Sequence, residues 1–136
     1  MRFLDTNVLL YAYSGDAQEA TKCAIARELL VRGTWCISAQ VLQEFYANAV
    51  RVRPGAALMS AAQAQATVAR FAEFCTAHTD AKLVEQAIAL SQRNQLSYWD
   101  AAIVIAAVRC GATELLTEDL NAGQVIEGVR VVNPFA

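Results

Sequence analysis

The sequence predicts an α/β protein in which helices surround a short central parallel sheet, giving a three-layer α/β/α arrangement. Short apolar segments with the composition of strands alternate along the chain with longer segments of helical periodicity. This alternation is typical of parallel sheets covered by helices. The 136 residues fit one domain that can bury a core of its own. We find no linker, repeat or low-complexity tract, so we expect a single domain over residues 1–136.

The first half of the chain predicts two strands, each leading into a helix. The helix before the second strand should stop at Gly33, and Ser38 is a suitable N-cap for the helix that carries Glu44. Pro54 and Gly55 should end that helix. The expected elements are a strand at 1–4, helices near 5–13 and 17–32, a strand at 35–37 and a helix from residue 38.

The second half predicts three more helices and further strands. An alanine-rich segment favours the first helix, and Asp80 and Ser97 are suitable N-caps for the other two. The expected elements are a helix at about 60–74, a short strand or turn at 75–79, helices from 80 and from 97 to near 111, and strands at 114–117 and 129–132. The helix after Asp80 should have an apolar face formed by Leu83, Ala87, Ile88 and Leu90.

Four acidic residues lie where a predicted strand ends or a helix begins. They are Asp5, Glu44, Asp100 and Asp119. Because ligands of open parallel sheets bind beyond the carboxyl ends of the strands, we expect acids from both ends of the chain to meet there. Acids gathered without matching bases indicate a metal, and carboxylate oxygens are the ligands that hard divalent cations such as Mg²⁺ prefer.

Each of these acids also has a purely structural explanation. Asp5 suits a helix N-cap, and Asp100 suits a capping box with Ser97. Glu44 suits an exposed helical position, and Asp119 suits a turn after a strand. Capping and turn preferences account for the acids one at a time, but they do not explain why all four recur at matching junctions.

Four stretches of the chain follow one another in an order that matches a known family. They are Leu4-Asp5-Thr6-Asn7-Val8-Leu9, Gln43-Glu44-Phe45, Tyr98-Trp99-Asp100-Ala101-Ala102-Ile103 and Leu116-Thr117-Glu118-Asp119-Leu120. In these stretches, over nearly its whole length, the chain resembles the PIN-domain ribonucleases, and within them the VapC-type toxins of bacterial type II toxin–antitoxin pairs. The closing Val131-Val132-Asn133-Pro134-Phe135 is similar to the ending of one VapC branch.

The resemblance implies a metal-dependent endoribonuclease that hydrolyses RNA phosphodiester bonds with a metal-activated water. Its Mg²⁺ or Mn²⁺ would be held by the four acids, with Asp5 and Asp100 as direct ligands, Glu44 positioning water or metal, and Asp119 holding a second metal or an outer water. Thr6, Asn7 and Thr117 would be the donors that fix these carboxylates. Glu118 stands beside Asp119, and only the family's motif assigns the role to Asp119.

The same resemblance implies partners. It implies a homodimer that buries apolar helix surface, and an antitoxin whose C-terminal segment covers the acids with Arg or Lys. The high hydrophobic share, 56% with a mean hydropathy of +0.29, independently indicates apolar surface left for a partner. Two related interpretations stay open, a PIN nuclease for RNA processing that is not a toxin, and a non-catalytic PIN-like module that binds RNA or protein.

The charge of the chain does not by itself indicate a nucleic-acid partner. Eleven Lys and Arg against thirteen Asp and Glu give a net charge of −2, so the usual basic footprint is absent. Arg51 and Arg53 form the best local patch for RNA phosphates, although they also suit a basic helix C-terminus. Further candidates are Lys22, Arg27 and Arg93.

Several features indicate a cytoplasmic protein without a membrane anchor. The longest apolar run, Ala101 to Val108, is far short of the roughly 20 residues of a membrane helix. Asp5 interrupts the only candidate signal segment. The cysteines at 23, 36, 75 and 110 have no Cys-x-x-Cys spacing and suit small buried side chains in a reducing compartment.

Other enzyme classes lack their motifs. The single His78 gives little support to a histidine metal site or a Ser-His-Asp relay. No Gly-x-Gly-x-x-Gly turn or Gly-Lys-Ser/Thr loop is present. An aspartyl-nucleophile hydrolase would want a second acid two residues after Asp5, where Asn7 stands.

Overall fold

The computed structural model describes residues 1–136 as six strands and six α-helices, with two short 3₁₀ turns. The strands are β1 (Arg2–Leu4), β2 (Trp35–Ser38), β3 (Cys75–Ala77), β4 (Glu114–Leu116), β5 (Val125–Ile126) and β6 (Val129–Val132). The helices are α1 (Thr6–Tyr11), α2 (Ala20–Val31), α3 (Ala39–Ala49), α4 (Ala61–Phe71), α5 (Ala81–Asn94) and α6 (Tyr98–Arg109). The 3₁₀ turns are Ala17–Glu19 and Ala72–Phe74.

The strands form one sheet in the order β3-β2-β1-β4-β6-β5. All neighbouring pairs are parallel except β5 with β6. β1 lies in the interior of the sheet, with Phe3 paired to Cys36 on one side and to Leu115 on the other. The residues that follow β1, β2 and β4 therefore leave the sheet side by side at one edge.

Helices cover the sheet in two groups. α1 packs on α2 and α3, and α3 packs on α4. α5 packs on α6, which lies against β2, β3, β4 and β6. The predicted three-layer α/β/α architecture is thereby confirmed. The sheet and the helices enclose a core of 31 buried hydrophobic residues. Residues 101–107 of α6 are all buried, as expected for a helix that is apolar on every face.

The predicted N-caps are confirmed and explain where the helices begin. The side chains of Ser38, Asp80 and Ser97 accept a hydrogen bond from the backbone N–H three residues on. Ser60 caps α4 in a full capping box with Gln63. The ambiguous segment after Phe74 is a strand, and all four cysteines are free, two of them buried.

Other details of the prediction are wrong. The first helix ends at Tyr11 rather than residue 13, and a 3₁₀ turn precedes α2. Ile88, placed on the apolar face of α5, is 45% exposed. Strand β5 was not predicted; it pairs with β6 through a two-residue turn in which Glu127 and Gly128 both have positive φ. Asn-Gly or Asp-Gly is the usual signal for such a turn, and a two-residue strand is too short to show a period. None of the helices has the length and hydropathy needed to span a bilayer.

Candidate active site

The predicted site residues lie at the carboxyl edge of the sheet. Asp5 follows β1 directly and its backbone N–H donates to the Leu116 carbonyl of β4. Thr117 follows β4, and its N–H donates to the Val132 carbonyl of β6. Glu44 is in the second turn of α3, after β2. The bond from Asp5 to Leu116 brings segments more than 100 residues apart in the chain into contact.

Asp5 is the most buried of the four acids, at 7% exposure. Its Oδ1 accepts from the Thr6 backbone N–H at 2.7 Å, so Asp5 does cap α1, and its Oδ2 accepts from the Thr117 hydroxyl at 2.8 Å. Burial raises its pKa from 3.8 to about 6; these two hydrogen bonds oppose that rise, and the charges of Glu44 and Asp119 add to it. The capping explanation is therefore true of Asp5 but incomplete, because a cap does not need a buried carboxylate beside two others.

Glu44 is half-buried and is held by two side chains. Its Oε2 accepts from the Thr6 hydroxyl at 3.3 Å, and its Oε1 accepts from the Gln40 amide at a long 3.5 Å. Burial is the main cause of its raised pKa; the two hydrogen bonds oppose the shift, and the charges of Asp100 and Asp119 add to it.

Gln40 is a site residue that the sequence analysis missed. It is buried, and its amide also donates to the Trp99 carbonyl at 3.2 Å, which ties α3 to the first turn of α6. Its only sequence signal is its position one helical turn before Glu44. Asn48, one turn after Glu44, was also missed; its amide donates to the Glu44 carbonyl at 2.8 Å.

Thr117 connects three parts of the site through one hydroxyl. The hydroxyl donates to Asp5 and accepts from the Asn7 amide and from the Asp119 backbone N–H, both at 3.1 Å. Its single donor and two lone pairs are then all used. The Asn7 amide also donates to Asp119 Oδ2 at 3.1 Å. The structure thus places Thr6, Asn7 and Thr117 in hydrogen-bond contact with the predicted acids.

Asp100 differs from the other three acids. Its backbone N–H donates to the Ser97 hydroxyl at 3.1 Å, but its carboxylate does not reach back to complete a capping box. That carboxylate accepts no hydrogen bond from the chain and lines the cleft instead. The capping-box explanation therefore accounts for Ser97 and not for the acid.

All four acids line one open cleft of about 210 Å³. The other residues of its wall are Thr6, Asn7, Leu10, Asn48, Trp99 and Ile103. No three of the acids stand close enough together to hold an ion by themselves. Because Mg²⁺ takes only one or two carboxylates and keeps several waters, the cleft fits a hydrated ion better than a fully protein-ligated one.

Glu118 does not belong to this cleft. It accepts hydrogen bonds from the Tyr11 hydroxyl and from Lys22 Nζ, the latter at 2.9 Å. Burial alone would raise its pKa, but these two bonds bring it below the usual value. Of the two neighbouring acids, only Asp119 faces the site.

The basic residues named from the sequence fall into two groups. Arg53 Nη2 donates to the Asn48 carbonyl at 3.1 Å beside the cleft, and Arg51 is exposed nearby in the chain. The suggested use of the other three for phosphates is not supported by their contacts. Lys22 pairs with Glu118, Arg27 Nε donates to the Ala12 carbonyl, and Arg93 pairs with Glu127 in the β5–β6 turn, at the opposite edge of the sheet.

The fold and the cleft together define a class of protein, namely an α/β/α domain with acidic residues gathered at the carboxyl edge of its sheet. The family model of the PIN domain matches residues 2–126. The chain therefore belongs to the PIN domain family, a family of nucleases.

Similar solved structures include proteins of toxin–antitoxin systems. A toxin–antitoxin complex from Klebsiella pneumoniae is 24% identical, with a TM-score of 0.71 and 98% of each chain covered. DNA-bound VapBC from Salmonella typhimurium is 22% identical with a TM-score of 0.64, covering 96% of this chain and 95% of that one.

A third similar structure is VapC20 from Mycobacterium tuberculosis, a toxin that cleaves the sarcin–ricin loop. It is 22% identical with a TM-score of 0.61, covering 85% of this chain and 87% of that one. At these identities the likeness shows a shared fold. No curated protein matches the chain.

Proposed function

We propose that this protein is a metal-dependent endoribonuclease and the toxin of a VapC-type toxin–antitoxin pair. The observation that carries the proposal is the cleft itself, which is lined by four carboxylates without a Lys, Arg or His paired to any of them. Uncompensated carboxylates repel one another and take up protons. A divalent cation would compensate them in a way that no side chain of this chain does.

The donor set fits Mg²⁺ or Mn²⁺, because every candidate ligand is an oxygen. When bound, such an ion lowers the pKa of a water and offsets the charge that develops on the leaving oxygen of a phosphodiester. Asp5 and Asp100 would be the direct ligands. Asp5 has its orientation fixed by Thr6 and Thr117, and Asp100 has both carboxylate oxygens free of the chain.

The remaining acids act on water and protons. Glu44 is held only by two long hydrogen bonds, from Thr6 and Gln40, and burial raises its pKa, which makes it a stronger proton acceptor than an exposed glutamate. Asp119 is exposed at the rim and is oriented by Asn7 and by its own backbone N–H on Thr117. It would hold an outer water or a second ion.

RNA as substrate is supported by the residues around the acids. Arg53 lies beside the cleft and Arg51 is exposed two residues earlier, where each can meet phosphates. Trp99, next to Asp100, is 65% exposed, and an exposed indole is a platform on which an unpaired base can stack. One of the similar structures is a toxin that cleaves the sarcin–ricin loop.

An antitoxin and a second copy of the chain are the proposed protein partners. Two of the similar structures are complexes of toxin with antitoxin. Leu42, Tyr46 and Val68 line an open apolar groove between α3 and α4, and Tyr46 is among the exposed large hydrophobic residues. Such surface is suited to a protein partner.

The decisive experiment is cleavage of total cellular RNA by the purified protein in Mg²⁺ or Mn²⁺, with chelator and Asp100→Asn in parallel. We expect the wild-type protein to produce discrete RNA fragments, and we expect no fragments with chelator or with Asp100→Asn. Asp80→Asn is the matched control, since Asp80 is also a helix-start acid but pairs with Arg109 outside the cleft. Cutting by Asp100→Asn at the wild-type rate would refute the assignment of the site. Cutting without growth arrest on expression would favour a housekeeping nuclease over a toxin.

A further inference from the structure

A second cavity, also of about 210 Å³, adjoins the acid cleft. The two share Asn7 and Leu10 of α1 as a common wall. Its other lining residues are Tyr11, Ser14, Glu19, Arg53 and Leu58. A nucleotide chain with one phosphate among the acids would therefore have a neighbouring base beside this second cavity.

The lining has the composition of a pocket for a flat polar ring. Leu10, Leu58 and the Tyr11 ring offer apolar surface, while Arg53 offers donors and Glu19 offers acceptors. The Ser14 hydroxyl donates to Glu19 Oε1 at 2.7 Å, which fixes that carboxylate. A phosphate would be repelled by Glu19. A nucleobase, with apolar faces and polar edges, matches both kinds of wall.

Two buried polar atoms of this lining have no hydrogen-bond partner in the chain, namely Asn7 Oδ1 and Arg53 Nε. Buried polar atoms are nearly always bonded. Asn7 and Arg53 both line this cavity, so their unpartnered atoms indicate that a polar ligand enters it. The Asn7 amide nitrogen is already used by Thr117 and Asp119. Its oxygen is therefore the part of the side chain left for a ligand.

We propose that this cavity binds an unpaired guanine base next to the cleaved phosphate, with Arg53 reading the edge that carries O6 and N7 and Glu19 reading the edge that carries N1–H and the 2-amino group. This proposal rests on the proposed nuclease function. Guanine presents O6 and N7 together as acceptors, the pair that an arginine fork bonds best. It also presents N1–H and the 2-amino group together as donors to a carboxylate. Uracil, cytosine and adenine do not offer both the acceptor pair and the donor pair, so we expect the cavity to be specific for guanine.

Binding of short RNAs to the Asp100→Asn protein tests the proposal without cleavage. The probes are fluorescent five-nucleotide RNAs, four uridines around a central guanine, adenine, cytosine, uracil or inosine. We expect the guanine probe to bind about tenfold more tightly than the other standard bases. Inosine lacks the 2-amino group, so it should bind more weakly than guanine, and Glu19→Gln added to Asp100→Asn should remove that difference.

Matched variants separate base reading from charge. Arg53→Lys keeps the charge but loses the fork, so it should reduce the preference for guanine to the part that Glu19 supplies. Arg51→Ala removes a neighbouring charge outside the cavity and should weaken all probes equally. Glu28→Gln, at an exposed acid of α2, should change nothing. Thermal melting establishes that each variant is folded, and if Arg53→Lys is not, the Glu19→Gln and inosine comparison decides alone.

The outcomes distinguish this inference from the proposed function. No binding, equal binding of the four bases, a preference for another base, or a guanine preference that survives both cavity variants would overturn the inference. If wild-type protein cleaves RNA yet the Asp100→Asn protein gives one of these binding results, the nuclease proposal is kept and the guanine pocket is rejected. If the wild-type protein never cleaves RNA but the guanine preference depends on Glu19 and Arg53, the guanine pocket is kept and the nuclease proposal is rejected.

Discussion

The acids of this protein behave in two different ways depending on where they lie. In the cleft, burial raises the pKa of Asp5 and Glu44, and neighbouring carboxylates raise them further. At the start of α5, Asp80 accepts from Arg109 at 2.9 Å, and that bond lowers its pKa. The same residue type is thus neutralised by a partner in one region and left uncompensated in the other.

The contrast is sharpest for two residues that are neighbours in the chain. Glu118 is paired with Lys22, whereas Asp119 has only the neutral Asn7 amide and a backbone N–H shared with Thr117. The chain has bases available to pair with acids and does so outside the cleft. Leaving four acids unpaired in one cleft opposes stability, and such departures concentrate at functional sites.

Asp5→Asn should produce the largest effect on activity. It removes the buried carboxylate proposed as a direct metal ligand, so cleavage of RNA should fall below detection in Mg²⁺ and in Mn²⁺. Asp80→Asn should cleave at the wild-type rate while melting at a lower temperature, because it loses the partner of Arg109. Both rates are measured on one RNA substrate. Equal loss of activity in Asp5→Asn and Asp80→Asn would contradict the distinction between the cleft and the start of α5.

The same Asp5→Asn change should stabilise the metal-free protein at neutral pH. The folded pKa of about 6 lies above the ordinary 3.8, so the stability that Asp5 contributes is present below pH 3.8 and is lost as the pH rises through 6. At about 1.4 kcal/mol per pKa unit, the loss is roughly 3 kcal/mol. Asp80, with a lowered pKa, has the opposite sign, and its contribution is lost as the pH falls.

Urea unfolding in chelator at several pH values measures this effect. The difference between Asp5→Asn and wild type should be near zero at pH 4 and should grow to its full size by pH 7.5. A difference that does not change with pH would show that Asp5 is not held with a raised pKa. Added Mg²⁺ should stabilise the wild type and not the variant, because an ion that binds only the folded state shifts unfolding.

The neighbouring pair offers a smaller and cleaner test. Asp119→Asn should lower the cleavage rate about 10- to 100-fold, the usual cost of losing a group that orients metal or water without being a main ligand. Glu118→Gln should leave the rate unchanged, since its carboxylate bonds Tyr11 and Lys22 rather than the cleft. Rates at saturating Mn²⁺ measure both. A lowered cleavage rate in Glu118→Gln together with a wild-type rate in Asp119→Asn would assign the role in the cleft to Glu118 instead of Asp119.

The sequence was most informative where a local pattern decides the structure. The uninterrupted apolar run of α6 and the caps at Ser38, Asp80 and Ser97 needed no knowledge of distant contacts. The strand β5 could not be predicted in this way, because its two residues form a strand only by pairing with β6. The placement of Asp5, Glu44 and Asp119 at one edge could be predicted because strand ends of a parallel sheet coincide. Asp100 begins a helix that follows another helix, so strand ends do not account for its position.

Other parts of the site could not be predicted because they depend on how helices approach one another. Gln40 bonds Glu44 along its own helix but reaches Trp99 only where α3 meets α6. Lys22 had the right charge for phosphate, yet its position beside Glu118 commits it to an ion pair. Composition identifies which residues are charged, and only the tertiary contacts decide which charges remain free.

The two tryptophans show the same division as the acids. Trp35 is buried and stacks on Phe74, with ring centroids 4.0 Å apart. Trp99 is exposed and packs edge-to-face with Tyr98, with ring centroids 5.0 Å apart. Its carbonyl is fixed by Gln40, so the ring is held at the mouth of the cleft without being covered.

Trp99→Ala should therefore weaken substrate binding rather than chemistry. Loss of one base-stacking contact costs about 1–3 kcal/mol, so KM for single-stranded RNA should rise about tenfold while kcat stays close to wild type. Trp99→Phe, which keeps an aromatic face, should restore most of the affinity, and steady-state kinetics on one short RNA measures all three proteins. Unchanged KM in Trp99→Ala would show that the exposed indole does not stack on a base of the bound RNA.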